Sequence, residues 1–89
     1  TRTPLVISIP GQKEKILYNH PTEFVDVYPT LAELAQIKTP EGLDGKSLVP
    51  ALKGIQTPIK DFAISQYPRK DNHMGYALRT KQYRYVEWI

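Results

Sequence analysis

Apolar and polar positions first take a two-residue period. Leu5, Ile7 and Ile9 share one side of an extended chain, Val6 and Ser8 the other, and β-branched residues dominate. The pattern predicts a strand over 4–9, opened by Pro4, where no ladder donor is needed, and closed by Pro10-Gly11. Apolar groups on both sides predict an edge position in a covered sheet. Residues 12–22 are polar and mixed and read as a loop with one short strand at 15–18. The period then changes. Phe24, Tyr28, Leu31 and Ala35 recur at helical spacing, and Val27 and Leu34 widen the stripe, which predicts a helix over 26–37. Pro29 must fall in its first turn, since deeper it would remove a hydrogen bond and clash. Asp26 is then the natural N-cap, with Thr30-x-x-Glu33 a rival capping box one turn later, and the helix stops before Thr39-Pro40.

Turn-forming residues fill 39–46. Ser47 is placed to cap a short helix over 48–53, with Pro50 in its first turn and Gly54 as its stop. Phe62 to Tyr67 alternates and reads as a strand, Pro68 to His73 as a polar loop, and 75–88 as a hairpin. Lys81-Gln82 is not a favoured primed turn, so a looser turn is expected over Thr80 to Gln82. Strand, helix, short helix and three strands make an α+β chain with at least one antiparallel pair.

A length of 89 residues bounds this to at most one domain. A hydrophobic share of 40% with six Tyr, two Phe and one Trp suits a small core and excludes a disordered tail. The net charge of +3 admits an anionic partner but falls short of the basic stripe of a nucleic-acid binder. Having no Cys excludes a disulfide scaffold, a Cys-ligated zinc site and a thiol nucleophile. Apolar runs as short as Leu5-Val6-Ile7 exclude a membrane-spanning helix. Beginning at Thr1 and stopping at Trp88-Ile89 inside a predicted strand, the chain is expected to be a piece of something larger.

Few residues offer chemistry by themselves. Ser8 lies in Ser8-Ile9-Pro10-Gly11-Gln12, one residue short of the S-x-P-x-R pattern in which a Ser or Cys becomes formylglycine. Gln12 stands where that pattern needs Arg, and a strand is the wrong place for a site that uses a helix N-terminus. His20 and His73 each lack a second His at ligand spacing and read as solvated loop residues. Capping accounts for Asp26 better than general-base work does, and Asp44 reads as a turn residue. More informative is the stretch from Arg69 to Arg84. It carries Arg69, Lys70, Arg79, Lys81 and Arg84 against the single acid Asp71, interleaved with Tyr76 and Tyr83 and flanked by Tyr67 and Tyr85. Such a patch can hold sulfate, carboxylate or phosphate, and its rings can stack on a sugar. An ordinary hairpin with solvated cations outside and tyrosines packed inward fits the same pattern.

Four segments match a known family. Thr1-Arg2-Thr3-Pro4-Leu5-Val6-Ile7 with Pro10-Gly11 resembles the R-x-P-L-I-I-x-x-P-G segment of sulfatases. Val25-Asp26-Val27-Tyr28-Pro29-Thr30-Leu31 and onward to Ala35 is similar to their V-D-x-x-P-T-L-x-x-L-A helix. Asp44-Gly45-Lys46-Ser47-Leu48 to Gly54 is similar to D-G-x-S-L-x-P-x-L-x-G. Ser65-Gln66-Tyr67-Pro68-Arg69, then Met74-Gly75-Tyr76 to Trp88, resembles the iduronate-2-sulfatase branch. Together they cover nearly the whole chain, in the family's order.

The resemblance implies an alkaline-phosphatase-like fold, with 1–59 ending a large α/β domain and 60–89 beginning a small C-terminal antiparallel sheet packed on a helix. It implies hydrolysis of sulfate esters by a hydrated formylglycine with a calcium ion held by Asp and Asn or His. The motifs for both lie before the region matching Thr1, so no catalytic residue is carried over and the 89 residues are expected to be inactive alone. What carries over is substrate selection: Arg69, Lys70 and His73, between two branch-specific motifs, are the candidate residues for a uronate carboxylate. The implied partners are the remainder of a sulfatase chain and a sulfated glycosaminoglycan, in a secreted, lysosomal or periplasmic setting, with no nucleic acid and no membrane. An acidic-polysaccharide binding module and a phosphodiesterase or phosphatase of the same superfamily are the competing readings.

Overall fold

A computed structural model describes residues 3–89. Its elements are a 3₁₀ turn Phe24–Asp26, helices α1 (Val27–Leu34) and α2 (Val49–Leu52), and strands β1 (Ala63–Pro68), β2 (Met74–Arg79) and β3 (Arg84–Trp88). This is an α+β arrangement. Pro29 falls in the first turn of α1, as its missing N–H requires. The helix is shorter than the 26–37 stripe because it closes in a Schellman turn. Gln36 takes a positive φ of 58°, its amide donates to the Glu33 carbonyl at 3.1 Å, and the Ile37 amide donates to Ala32 at 2.8 Å. The residues expected to extend the helix therefore satisfy its last carbonyls instead. Asp26 does not cap α1 with its side chain either, and no capping box joins Thr30 to Glu33. The short helix falls where expected, one residue inside 48–53 at each end. The Ser47 hydroxyl accepts from the Val49 amide at 3.2 Å, and Gly54 follows at a φ of 89°.

The strands form a meander in the order β1-β2-β3, both pairs antiparallel. The link from β1 to β2, expected as a polar loop, is a tight turn. Asp71 and Asn72 both sit at positive φ (62° and 60°), the requirement of a primed turn and one that Asp and Asn tolerate. Between β2 and β3 the looser turn is held by the Thr80 hydroxyl, which accepts from the Tyr83 amide at 2.9 Å, and by the Thr80 amide donating to Tyr83 at 2.8 Å.

Residues 4–9 form no strand. They run extended, but no strand among the described residues lies beside them to complete a ladder, and none forms at 15–18. A strand needs a partner for its backbone groups, and alternation alone cannot supply one. These two extended segments instead line an apolar groove of about 600 Å³ that also touches Leu48, Ala51 and Leu52.

The buried apolar residues are Leu48, Val49 and Ala51, all around α2, while Phe24, Leu31, Ile64, Tyr85 and Trp88 are exposed. Among the described residues neither α1 nor α2 packs on the sheet. The sheet is joined to the helical unit at its β1 edge, where Glu23 accepts from the Ile64 amide. The outcome is elongated: extents are 49 × 30 × 18 Å and the radius of gyration is 15.1 Å, against about 12 Å for a compact chain of this length.

Candidate functional site

Two groups of polar residues are built by this fold. The first is centred on Asp26, which the helical stripe marks only as a cap. Its carboxylate is fully buried. One oxygen accepts from the Glu23 amide at 2.8 Å, and the other from the Lys46 amide at 2.9 Å and from the Lys60 ammonium at 2.6 Å. Lys60, itself only 9% exposed, also bonds Glu23 at 2.7 Å. Burial alone would lower the Lys60 pKa; hydrogen bonds and charge from Asp26 and Glu23 outweigh it and hold the ammonium above its ordinary value. One turn further along α1, the buried Thr30 hydroxyl donates to the Asp26 carbonyl at 2.6 Å and accepts from the Leu48 amide at 2.8 Å. Glu33 accepts from the Ser47 hydroxyl at 2.9 Å. Gly45 lies against the Val25 carbonyl, where an added Cβ would stand 2.0 Å from its oxygen. Asp26, Thr30 and Glu33 thus receive Lys46, Leu48 and Ser47 in turn. No substrate reaches the Asp26 carboxylate, so the general-base reading fails on burial and the group is structural.

The second group is the β1–β2 hairpin end, which brings Arg69, Lys70 and His73 into one turn. The Arg69 amide donates to the His73 carbonyl at 2.9 Å and the His73 amide to Lys70 at 3.4 Å. All three residues are exposed, and none is in an ion pair among the described residues. Arg69 differs from the other two in being held. Tyr67, Gly75 and Trp88 form one row across the three strands. Gly75 has no side chain, so the Trp88 ring lies over it; an added Cβ would come within 2.6 Å of that ring. The guanidinium of Arg69 then sits 5.0 Å from the Tyr67 ring centroid and 5.4 Å from that of Trp88. Contact with two aromatic faces fixes the planar group while its N–H donors stay available. The sequence carries the signal in Tyr67-x-Arg69 with Gly75 and Trp88, but only the register shows that they meet.

Other candidates stay apart. Ser8 lies in the unpaired extended segment, without a helix N-terminus behind it. His20 packs edge-on to Tyr18, ring centroids 5.2 Å apart. Asp44 is an exposed residue of the turn before Gly45. Among the described residues no three His, Asp or Glu side chains are placed to hold a metal ion. A calcium ion therefore finds no such ligand set among the described residues.

The family described as N-sulphoglucosamine sulphohydrolase, C-terminal, matches residues 1–89. Arylsulfatase K of Danio rerio is 31% identical over 93 residues, covering 99% of this chain and 18% of that protein. Arylsulfatase K of Homo sapiens is 28% identical over 96 residues, 96% of this chain and 17% of that protein. A sulfatase of Formosa agariphila is 30% identical over 88 residues, 99% of this chain and 17% of that protein. The chain thus spans less than a fifth of the length of these relatives. With the match running from the first residue to the last, and the matched motifs interlocked around Asp26 and Gly75, the chain belongs to the sulfatase family, in its C-terminal region.

Proposed function

We propose that this chain is part of a sulfuric ester hydrolase of the iduronate-2-sulfatase type, acting on sulfated uronates of glycosaminoglycans. In this reading the hairpin end selects the substrate, and the nucleophile and calcium come from outside these 89 residues, which are inactive alone. A secreted, lysosomal or periplasmic setting goes with that substrate. The observation that carries the reading is Arg69, oriented by Tyr67 and Trp88 beside Lys70 and His73. An exposed guanidinium already fixed in plane loses little entropy on accepting a planar carboxylate in two parallel hydrogen bonds. The test compares Arg69→Gln and the double variant Lys70→Ala/His73→Ala in the intact enzyme, on a sulfated uronate disaccharide and on a neutral aryl sulfate. A KM raised about tenfold or more for the uronate, with kcat and the aryl sulfate KM unchanged, is expected of lost charge-assisted contacts. An unchanged ratio of the two KM values in both variants refutes the reading.

A further inference from the structure

The register divides the sheet into two unlike faces. One carries Ile64, Met74, Tyr76, Leu78 and Tyr85, together with Glu87, the only acidic residue in the three strands. The opposite face carries the row Tyr67, Gly75, Trp88, then Ser65, Ala77, Val86, then Ala63, Arg79, Arg84. The stacked Arg69 lies on this second face, so all the arginines of the sheet are on one side. Within the strands no acid shares it.

Arg79 and Arg84 are directly opposite each other on β2 and β3. Like charges in that relation are destabilising unless an anion lies between them. Both are exposed, and no ion pair among the described residues involves either; those present belong to Lys60. From Gly75 to Arg79 is four strand residues, about 14 Å at the rise of an antiparallel strand. Between them lie the Trp88 ring over Gly75 and the small side chain of Ala77, with Tyr67 and Ser65 on one flank and Val86 on the other.

We infer that Arg79 and Arg84 form a second anion station, and that this face binds a linear sulfated or carboxylated oligosaccharide along β2 between it and Arg69. Charge complementarity commits the face to a polyanion, and the separation commits it to one longer than a disaccharide. The choice of a sugar polymer rests on the substrate proposed above; the Arg79–Arg84 pair does not.

The test uses the intact protein and sulfated uronate-containing oligosaccharides of defined length, disaccharide to hexasaccharide, with binding and hydrolysis measured separately. The wild type is expected to bind the hexasaccharide about tenfold more tightly than the disaccharide, the gain given by two exposed charge contacts. Arg79→Gln/Arg84→Gln removes that gain and lowers its salt dependence, leaving disaccharide KM and kcat unchanged. Arg84→Gln alone, on the outer strand, shows the same effect at smaller size if the double variant does not accumulate. Equal binding of both lengths by the wild type overturns the inference. So does a double variant that binds the hexasaccharide normally or melts much earlier without a change in length preference, since the pair is then an internal contact. Disaccharide hydrolysis without length preference would leave the proposed substrate standing; length-dependent binding without uronate hydrolysis would do the reverse.

Discussion

Replacing Asp26 by Ala tests the centre of the helical unit. The fully buried carboxylate holds the Glu23 and Lys46 amides at 2.8 and 2.9 Å and the Lys60 ammonium at 2.6 Å. Asp26→Ala leaves two amides without an acceptor and Lys60, 9% exposed, with Glu23 as its one carboxylate at 2.7 Å. Removing one partner of a buried ion pair costs about 3–5 kcal/mol, and an orphaned buried donor about 1–3 kcal/mol. These overlap, because Glu23 retains the ammonium and both amides are only part-buried. The expected local loss is about 4 kcal/mol, near a thousandfold in the opening equilibrium. Hydrogen exchange of the Lys46 amide in the intact protein reads this directly, without assuming two-state unfolding of a long chain. Protection is expected to fall about 100-fold or more in Asp26→Ala. Asp26→Asn should fall between, since its NH₂ faces a donor where an oxygen stood. Asp26→Asn with Lys60→Met should cost less than the sum of the two single changes, because the charges disappear together. Protection within twofold of wild type in Asp26→Ala, or strict additivity of that pair, refutes the reasoning.

Thr30→Val keeps the volume but removes the donor to Asp26 and the acceptor for the Leu48 amide, and is expected to cost about 1–3 kcal/mol by thermal melting, with Thr30→Ser costing less. Gly45→Ala drives a Cβ to 2.0 Å from the Val25 carbonyl oxygen, backbone that cannot rotate away, and should cost at least the ~1–3 kcal/mol of an overpacked core; wild-type melting would show that the turn is free to shift. Gly75→Ala meets only the Trp88 ring, which can move, so stability should change little while the uronate KM rises as the Arg69 stack is lost. Lys60 predicts an alkaline limit. Its folded pKa lies above the ordinary 10.5, so its contribution is complete below that pH and is lost as pH rises through the higher folded value. The melting temperature of Lys60→Met should therefore converge on that of wild type above this range and differ most near neutrality.

Much of the fold was legible because local chemistry decided it. Pro29 could only begin a helix, Gly54 could only follow one, and the alternation around Ala77 and Val86 could only be extended. Where structure and local pattern differ at 4–9 and at Asp26, the deciding partner is distant in sequence or lies outside the described residues. The period over 4–9 is that of a strand, yet pairing requires a neighbour, and the described residues hold none. Asp26 has the side chain and the position of a cap, and nothing local reveals that Lys46 and Lys60 will converge on it from 20 and 34 residues away. Asp71-Asn72 is a different case: both residues tolerate positive φ, and the pair carries a local turn signal. At the candidate site, Arg69, Lys70 and His73 were visible in sequence. That only Arg69 is clamped followed from Gly75, whose missing side chain admits Trp88.

The family motifs have a physical basis that resemblance alone does not give. Val25-Asp26-x-x-Pro29-Thr30 and Asp44-Gly45-Lys46-Ser47-Leu48 are two halves of one hydrogen-bonded unit, each satisfying backbone or side-chain groups of the other. The sheet, in turn, is tied to that unit by polar links at its edge. Glu23 accepts from the Ile64 amide at the start of β1 at 2.9 Å and from Lys60 just before it. The Tyr18 hydroxyl holds the approach, accepting from the Ile59 amide at 2.9 Å and donating to the Thr57 carbonyl at 3.1 Å. No apolar packing between helix and sheet shares that load. The direction in which Arg69, Arg79 and Arg84 face is therefore set by Glu23 and Lys60 at the start of β1, the end at which Arg79 and Arg84 lie and the one far from Arg69. Glu23→Gln, which keeps an acceptor for Ile64 but loses the charge on Lys60, should disturb substrate affinity less than Glu23→Ala, which loses both. Equal KM values in the two variants would show instead that contacts outside these residues orient the sheet.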